Sequence, residues 1–524
     1  MIFFTGLIAY AFTLGGCGGA TQDSGNVFRY RLGSDPPSID LIHCTDTTSA
    51  TIVMKIFEGL VDQDPVTLEV IPALAESWDI SNNGLTYTFH LIKGVQFHNG
   101  REVTSADFRF NFERCLTPEN RSEESYVLTP IRGAKAMLAG EVDTLEGIET
   151  PDDYTVILHL EEPYAPFLDY LTMGAGRVAA KEGIDGDNFT PIGTGPFKFV
   201  SREHGIRVTV EANENWRGGE VGVKKVEFEV IPDVGVAFQK FVAGELDFVG
   251  EIPPNQLKLI QERYPGIVKM WPCIRVEYVG FNHTRPPFKD NPTLRRAFSY
   301  AVDRTSIVEI LFEGAAEEPT GILPPGIPGR DDSIEGYPYD PVKAKKLLAE
   351  AGYPNGEGLP EITLWYNTND RHELIFQFIQ SNLNDIGVKT QLRSLDWPAY
   401  LKACESHEPD MYRLGYIAAI PDADTFLYTR LHSSQIGAAG NSSGYSNPDF
   451  DSLVTEARLI SDPSKRNELY KRAERIAMDD AVWILYAYPM SQILFNPAYE
   501  GLVYPLQGAL RIPLERLHLT EAAE

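Results

Sequence analysis

Trp78–Asn111 reads WDISNNGLTYTFHLIKGVQFHNGREVTSADFRFN, and three signals in it decide the kind of fold. Asn82-Asn83-Gly84 is a turn signal. Tyr87, Phe89 and Leu91 alternate with Thr88 and His90, the period of a strand with one buried face. A second turn follows at His98-Asn99-Gly100. Thr104 and Asp107 then have the spacing of a capping box, ahead of a helix that carries Phe108 and Phe112 on one face. A hairpin running straight into an amphipathic helix predicts a mixed α/β domain. Folding alone accounts for each of these residues, so the stretch speaks for architecture and not for a ligand.

Similar units appear on both sides. Val27–Leu32 reads as a strand ended by Gly33-Ser34-Asp35-Pro36-Pro37, and Ile52, Val53, Ile56, Phe57 and Leu60 follow helical spacing. Strands are expected at 154–160, after Pro191, at 225–231 and at 246–249, with a helix near 236–242. Asn291-Pro292, Asp340-Pro341 and Asp462-Pro463 each pair an N-cap with proline at the first helical position. A strand at 362–366, a helix at 373–386 and a strand at 388–392 form a β-α-β unit, and another strand covers 411–417. No internal repeat is present.

The chain has 524 residues, too many for one hydrophobic core, so two or three domains are expected. Its 46 Lys and Arg against 74 Asp and Glu give a net charge of −28, which argues against nucleic acid and anionic lipid and favours neutral or cationic ligands. Met1–Leu14 is apolar but too short for a permanent span. It runs into Leu14-Gly15-Gly16-Cys17, a lipoprotein cleavage box in which Cys17 becomes the acylated first residue; a plain secretory signal is the alternative. Either one exports the chain. Cys44, Cys115, Cys273 and Cys404 remain, as disulfides of unfixed connectivity or as buried free thiols.

Trp78–Asn111 resembles the signature of the bacterial extracellular solute-binding proteins, family 5, the peptide- and nickel-type receptors of ATP-driven importers. Further blocks carry the same resemblance: IGTGPF from Ile192, NENWRGG from Asn213, AGELDF from Ala243, GFNHTRPPF from Gly280, LRRAFSYAVDR from Leu294 and YDPVKAKKLLAEAGYPNG from Tyr339. Together they cover nearly the whole mature chain. The resemblance implies a periplasmic-binding-protein-like clamshell, two lobes of mixed α/β sheets with an additional third domain. By analogy, residues 1–17 are the signal and 18–25 a linker. Residues 26–66, 190–280 and 490–524 form lobe 1, 67–189 a scaffold domain and 281–489 lobe 2. It also implies a monomeric, lipid-anchored extracytoplasmic receptor without cofactor or enzymatic activity, whose partners are a small solute, most readily a peptide, and the permease and ATPase subunits of an ABC transporter. A saccharide, a chelated metal, or sensing without transport are the alternatives.

In peptide-binding members an aspartate after the third strand of the second lobe holds the ligand's α-amine. Counting back from Phe426-Leu427, its place falls on Ala419, and the usual tryptophan's place on Tyr416. A methyl group cannot hold a buried ammonium. Either Asp422 or Asp424 reaches in, or the ligand has no free α-amine. Independently of any resemblance, ligands in open α/β sheets lie beyond the carboxyl ends of strands. That rule selects Tyr366 and Asn367, Trp397, and Gly415, Tyr416, Ile417, Ala418 and Ala419 in one lobe, with Ser34, Asp35 and Gly250 in the other. The loop with Asp46 and Thr47 completes the set. An extended ligand would pair with the backbone of Gly415–Ile417 as an added strand.

Rival motifs are weaker. Gly440-Asn441-Ser442-Ser443-Gly444 matches a nucleophile elbow but lacks the flanking strand and helix, so a loop is expected. The histidines show no metal-ligand spacing, and no metal site is expected. Gly193-Thr194-Gly195 is followed by Pro196 and a strand, which makes it a turn and not a phosphate loop. No G-x-x-x-x-G-K-[ST] sequence occurs, so ATP is hydrolysed elsewhere.

Overall fold

A computed structural model describes residues 27–520 apart from 82, 83, 187, 419, 438, 439 and 461. The lipobox with Cys17, the Asn82-Asn83 turn pair and Ala419 therefore lie outside the described residues.

Three larger sheets organise the chain. A seven-stranded mixed sheet has at its centre Val27–Leu32, parallel to Lys225–Val230 on one side and to Phe248–Val249 on the other. A six-stranded mixed sheet is built around Arg275–Phe281, Met411–Ile417 and Ile362–Asn367. A four-stranded antiparallel sheet contains the hairpin of the opening stretch, Ala75–Ile80 with Thr86–Leu91, in the register Trp78↔Phe89. The helix after it spans Ser105–Leu116, and the Asp107 carboxylate accepts the Thr104 N–H at 2.9 Å as its capping box. Phe108 and Phe112 are buried and meet edge to face.

Alternation along the six-stranded sheet divides its core in two. Trp365 and Tyr278 point into one cluster, while Leu364, Tyr366 and Val279 point into the other. One continuous cluster instead joins the seven-stranded and four-stranded sheets, from Phe28 through Phe89 and Phe112 to Leu158. The seven-stranded and four-stranded sheets therefore share one core.

The chain crosses between the lobes twice, through residues 272–274 after Val268–Trp271 and through Met490 between Trp483–Pro489 and Ser491–Phe495. Sequence reasoning placed the first crossing at 280. The structure puts Arg275–Phe281 inside the six-stranded sheet, where Tyr278 pairs with Leu414 and Leu485. The four cysteines of the described region are free thiols. No helix among the described residues is long and apolar enough to cross a membrane.

Candidate functional site

Two chambers lie between the lobes, beside the crossings. The larger has a volume of about 490 Å³ and the smaller about 270 Å³. They share the walls Thr47, Arg275, Trp397, Arg413, Ile417 and Leu510, so they are two halves of one cleft. The larger half falls within the ~300–1,000 Å³ typical of small-molecule sites.

The smaller chamber sits where the strand-end rule points. Ser34 and Gly250 line it from the first lobe and Asn367 from the second. Four guanidiniums, from Arg31, Arg275, Arg371 and Arg413, face two carboxylates, from Glu251 and Glu277, leaving this half net positive. Glu277 is buried, ion-paired to both Arg275 and Arg413, and accepts the Tyr486 hydroxyl at 3.0 Å. Burial works to raise its pKa, but the two guanidiniums win and hold the carboxyl below its usual range. Gly415 makes room for this cluster, since a Cβ there would come within 2.5 Å of the Glu277 carboxylate.

The larger chamber is more apolar. Met54, Tyr126, Tyr278, Leu414 and Tyr416 contribute to its walls. His43, Glu123, Glu124 and Arg430 are among its polar walls. His43 Nδ1 lies 2.5 Å from Glu123, and that hydrogen bond raises the histidine pKa. Glu124 is 2 % exposed, and its Oε2 has no hydrogen-bond partner among the described residues.

Between the halves runs an open strand edge. Gly415 and Ile417 pair with Glu277 and Arg275 on one side. On the other side the parallel neighbour follows only as far as Tyr412, which pairs with Trp365. The Ala418 N–H donates to the Ile274 carbonyl. Alternation therefore turns the amides and carbonyls of Gly415 and Ile417 away from Arg275–Phe281 and toward the side the parallel neighbour no longer covers, and both residues line the chambers.

Side chains bridge the lobes around the cleft. Trp397 Nε1 donates to Asp46 at 3.2 Å, Asn369 Nδ2 to Glu251 at 3.2 Å, and Arg371 to the Ile252 carbonyl at 2.9 Å. Asp46 also caps the helix Thr47–Ile56, accepting from Thr48 and Ser49. Its position is thus fixed before the tryptophan arrives.

Other residues selected from the sequence lie elsewhere. Tyr366 packs against Phe376 in the core. Asp35 pairs with Arg202 at 3.0 Å. Ala418 is buried, and its carbonyl accepts from Gln507 at 3.3 Å. Neither candidate replacement for the amine-holding aspartate reaches the cleft. Asp422 caps the helix Ala423–Leu431 and is ion-paired to Arg466. Asp424 is turned inward by that helix, where Tyr164, Tyr170 and Tyr470 donate to it and Arg458 pairs with it. Arg275, Glu277, Arg371, Arg413, Glu123 and Glu124 escaped sequence reasoning. None belongs to a recognisable motif, and several sit inside strands, where a charge ordinarily faces water. The Gly440–Gly444 segment is a loop, organised by the Asn441 amide donating to the Leu431 and Tyr445 carbonyls.

Comparison with known proteins identifies the family. The family described as bacterial extracellular solute-binding proteins, family 5, matches residues 69–438. Heme-binding protein A of Haemophilus influenzae is 33 % identical over 511 residues, covering 92 % of this chain and 91 % of its own. The Helicobacter pylori periplasmic binding protein DppA, solved in complex with the peptide STSA, is 30 % identical with a TM-score of 0.85, covering 94 % of this chain and 98 % of its own. The murein tripeptide binding protein MppA of Escherichia coli shares the fold at 24 % identity. One of its structures gives a TM-score of 0.85, covering 95 % of this chain and 99 % of its own. Its unliganded open form gives 0.67 at 96 % and 99 % coverage. The chain belongs to the bacterial extracellular solute-binding proteins of family 5.

Proposed function

We propose that this chain is the extracytoplasmic receptor of an ATP-driven importer and that its cargo is a short peptide or a similar extended zwitterion. The open edge at Gly415–Ile417 carries the reading. It offers backbone donors and acceptors to an extended ligand without reading its side chains, and it runs between a net positive half-cleft suited to a carboxylate and a larger, more apolar half-cleft that contains the buried acid Glu124. The relatives named for peptides point the same way. The ligand enters the open form, contacts one lobe and is enclosed when the other swings over it. Closure gains only what the ligand and the bridging side chains contact better in the closed state. The closed form then docks on a membrane permease whose ATPase is a separate subunit. The receptor acts as a monomer, leaves the covalent bonds of its cargo unchanged, and is tethered through the lipidated Cys17 of Leu14-Gly15-Gly16-Cys17.

Thermal denaturation tests the ligand class. Pools of di- and tripeptides should raise the melting temperature in proportion to the logarithm of concentration, as mass action requires, while oligosaccharides, chelated nickel and haem should not. Stabilisation by one of the latter three alone would refute the peptide reading.

A further inference from the structure

We infer that Glu124 receives a primary ammonium group of the ligand at the closed end of the larger chamber. The inference rests on the peptide reading above and deepens it by fixing which end of the ligand points where. Three observations carry it. The chamber is large enough, at about 490 Å³, to hold a ligand end with its side chain. Glu124 lines it while being 2 % exposed, with Oε2 lacking any hydrogen-bond donor among the described residues. A buried carboxylate left so costs stability, and folding alone gives no return for it.

The neighbouring acids are occupied. Glu123 is held by His43, Asp46 by its helix cap and Trp397, and Asp424 by three tyrosines and an arginine. Glu405 also lines the chamber but is exposed to solvent, so Glu124 is the buried acid of this chamber with an oxygen left over. The apolar walls around it suit the carbon stem next to an ammonium. At the opposite end the four guanidiniums of the smaller chamber suit a carboxylate, while the larger chamber holds, in Glu124, a buried acid with an oxygen that accepts no hydrogen bond among the described residues.

The acid's own chemistry fits. Burial pushes the Glu124 carboxyl up to about 8, with Arg430 pulling it down and Glu123 adding to the rise. Cys44 and Tyr126 face it as neutral groups, since burial raises both of their pKa values as well. In the empty chamber at neutral pH the carboxyl keeps its proton. An arriving ammonium supplies three donors and a positive charge, and the carboxyl releases its proton to solvent.

The test uses the full chain and pools of di- and tripeptides lacking Lys and Arg, either with free N-termini or N-acetylated, together with an N-acetylated pool containing Lys. The free pool should stabilise wild-type protein at concentrations at least tenfold lower than the acetylated pool. If the Lys pool restores binding, the ammonium is a side-chain one. In either case Glu124→Gln should erase the preference, and Glu124→Asp, which keeps the charge, should retain it in weakened form. Calorimetry of the free pool near pH 7 should show an enthalpy that varies with the ionisation heat of the buffer, and Glu124→Gln should lose that variation, a readout no packing role would move. Equal binding of all three pools by wild type, or a preference that survives Glu124→Gln, would overturn the inference while leaving the peptide reading intact. If no pool binds, the peptide reading fails and the inference falls with it.

Discussion

Asp424 and Glu124 are both buried acids, one in the second lobe and one at the cleft, and their surroundings differ. Asp424 is 0 % exposed and accepts hydroxyl donors from Tyr170 at 2.6 Å and from Tyr164 and Tyr470 at 3.1 Å, with Arg458 paired at 3.0 Å. Glu124 is nearly as buried and has an oxygen without a donor. The first acid is spent on architecture. It ties the scaffold, through Tyr164 and Tyr170, to the helices Ala423–Leu431, Pro448–Leu459 and Pro463–Asp479 of the second lobe. The second has the Arg430 charge nearby but an oxygen that accepts nothing among the described residues. Buried charges are retained where something completes them, and the contrast separates an acid completed by the fold from one left for a guest.

Breaking the completed acid should have the largest effect. Asp424→Ala leaves Arg458 and three hydroxyls facing an empty volume, and losing one partner of such a network costs about 3–5 kcal/mol. Chemical denaturation should show that loss with or without ligand. A change under about 1 kcal/mol would mean that water replaces the carboxylate, as exposed pairs allow, and the contrast would dissolve.

The unspent acid should act in the opposite sense and with pH. Its carboxyl has an ordinary value of 4.5 when unfolded and about 8 when folded. Between the two the folded protein holds more protons than the unfolded chain, so this contribution is fully present below 4.5, falls as pH rises and is gone above about 8. Glu124→Gln removes the fall. Ligand-free Glu124→Gln should therefore match wild type near pH 4.5 and exceed it near pH 8, by up to about 4 kcal/mol for a shift of that size. Parallel stability curves for the two proteins would show that the carboxylate has a partner after all.

A third buried acid, Glu277, stands between these cases: completed by Arg275, Arg413 and Tyr486, yet part of the cleft wall. Gly415→Ala places a methyl against its carboxylate. Overpacking of this kind costs about 1–3 kcal/mol, and here it should fall on ligand affinity as well as stability, because the same residue presents the open strand edge. Unchanged affinity for a peptide drawn from the stabilising pool would remove that edge from the binding surface.

How far these features were legible depends on what pattern each leaves in the chain. The hairpin and helix of Ala75–Leu116 announce themselves through period, turn and cap, and the N-cap–proline pairs place the starts of Pro292–Ala301, Pro341–Glu350 and Pro463–Asp479 to the residue. Trp483–Pro489 gives no such sign. All seven of its residues are buried, so it lacks the alternation that marks a half-exposed strand, although it carries one of the two crossings. At the cleft, strand ends led to Ser34, Gly250, Asn367 and Gly415–Ile417. They could not lead to Glu277 and Arg413, which meet 136 residues apart in sequence on neighbouring strands. Nor could they distinguish Asp424 from a ligand contact, because its completion comes from tyrosines in the scaffold. Gly193 reads as part of a turn because Pro196 and a strand follow it. Its actual constraint is the Ile56 carbonyl, against which a Cβ would collide.

The smallest effect tests whether closure itself contributes to binding. Glu313 Oε2 accepts the Leu257 N–H at 2.8 Å, joining a loop of the second lobe to the start of the helix Leu257–Arg263 in the first, and Glu313 lines neither chamber. A charge-assisted bond of this kind is worth about 1–2 kcal/mol. If it exists only when the lobes are shut, Glu313→Ala weakens binding about fivefold or more without touching the ligand, and it does so by speeding release, since entry into the open form is unaffected. The ligand-free melting temperature should stay constant. The reverse pattern, lower stability with unchanged release, would place Glu313 on the hinge side of the closure, among the contacts that hold the lobes in both states. The bridges at Asn369, Arg371 and Trp397, which face the chambers directly, would then be the ones that a bound guest recruits.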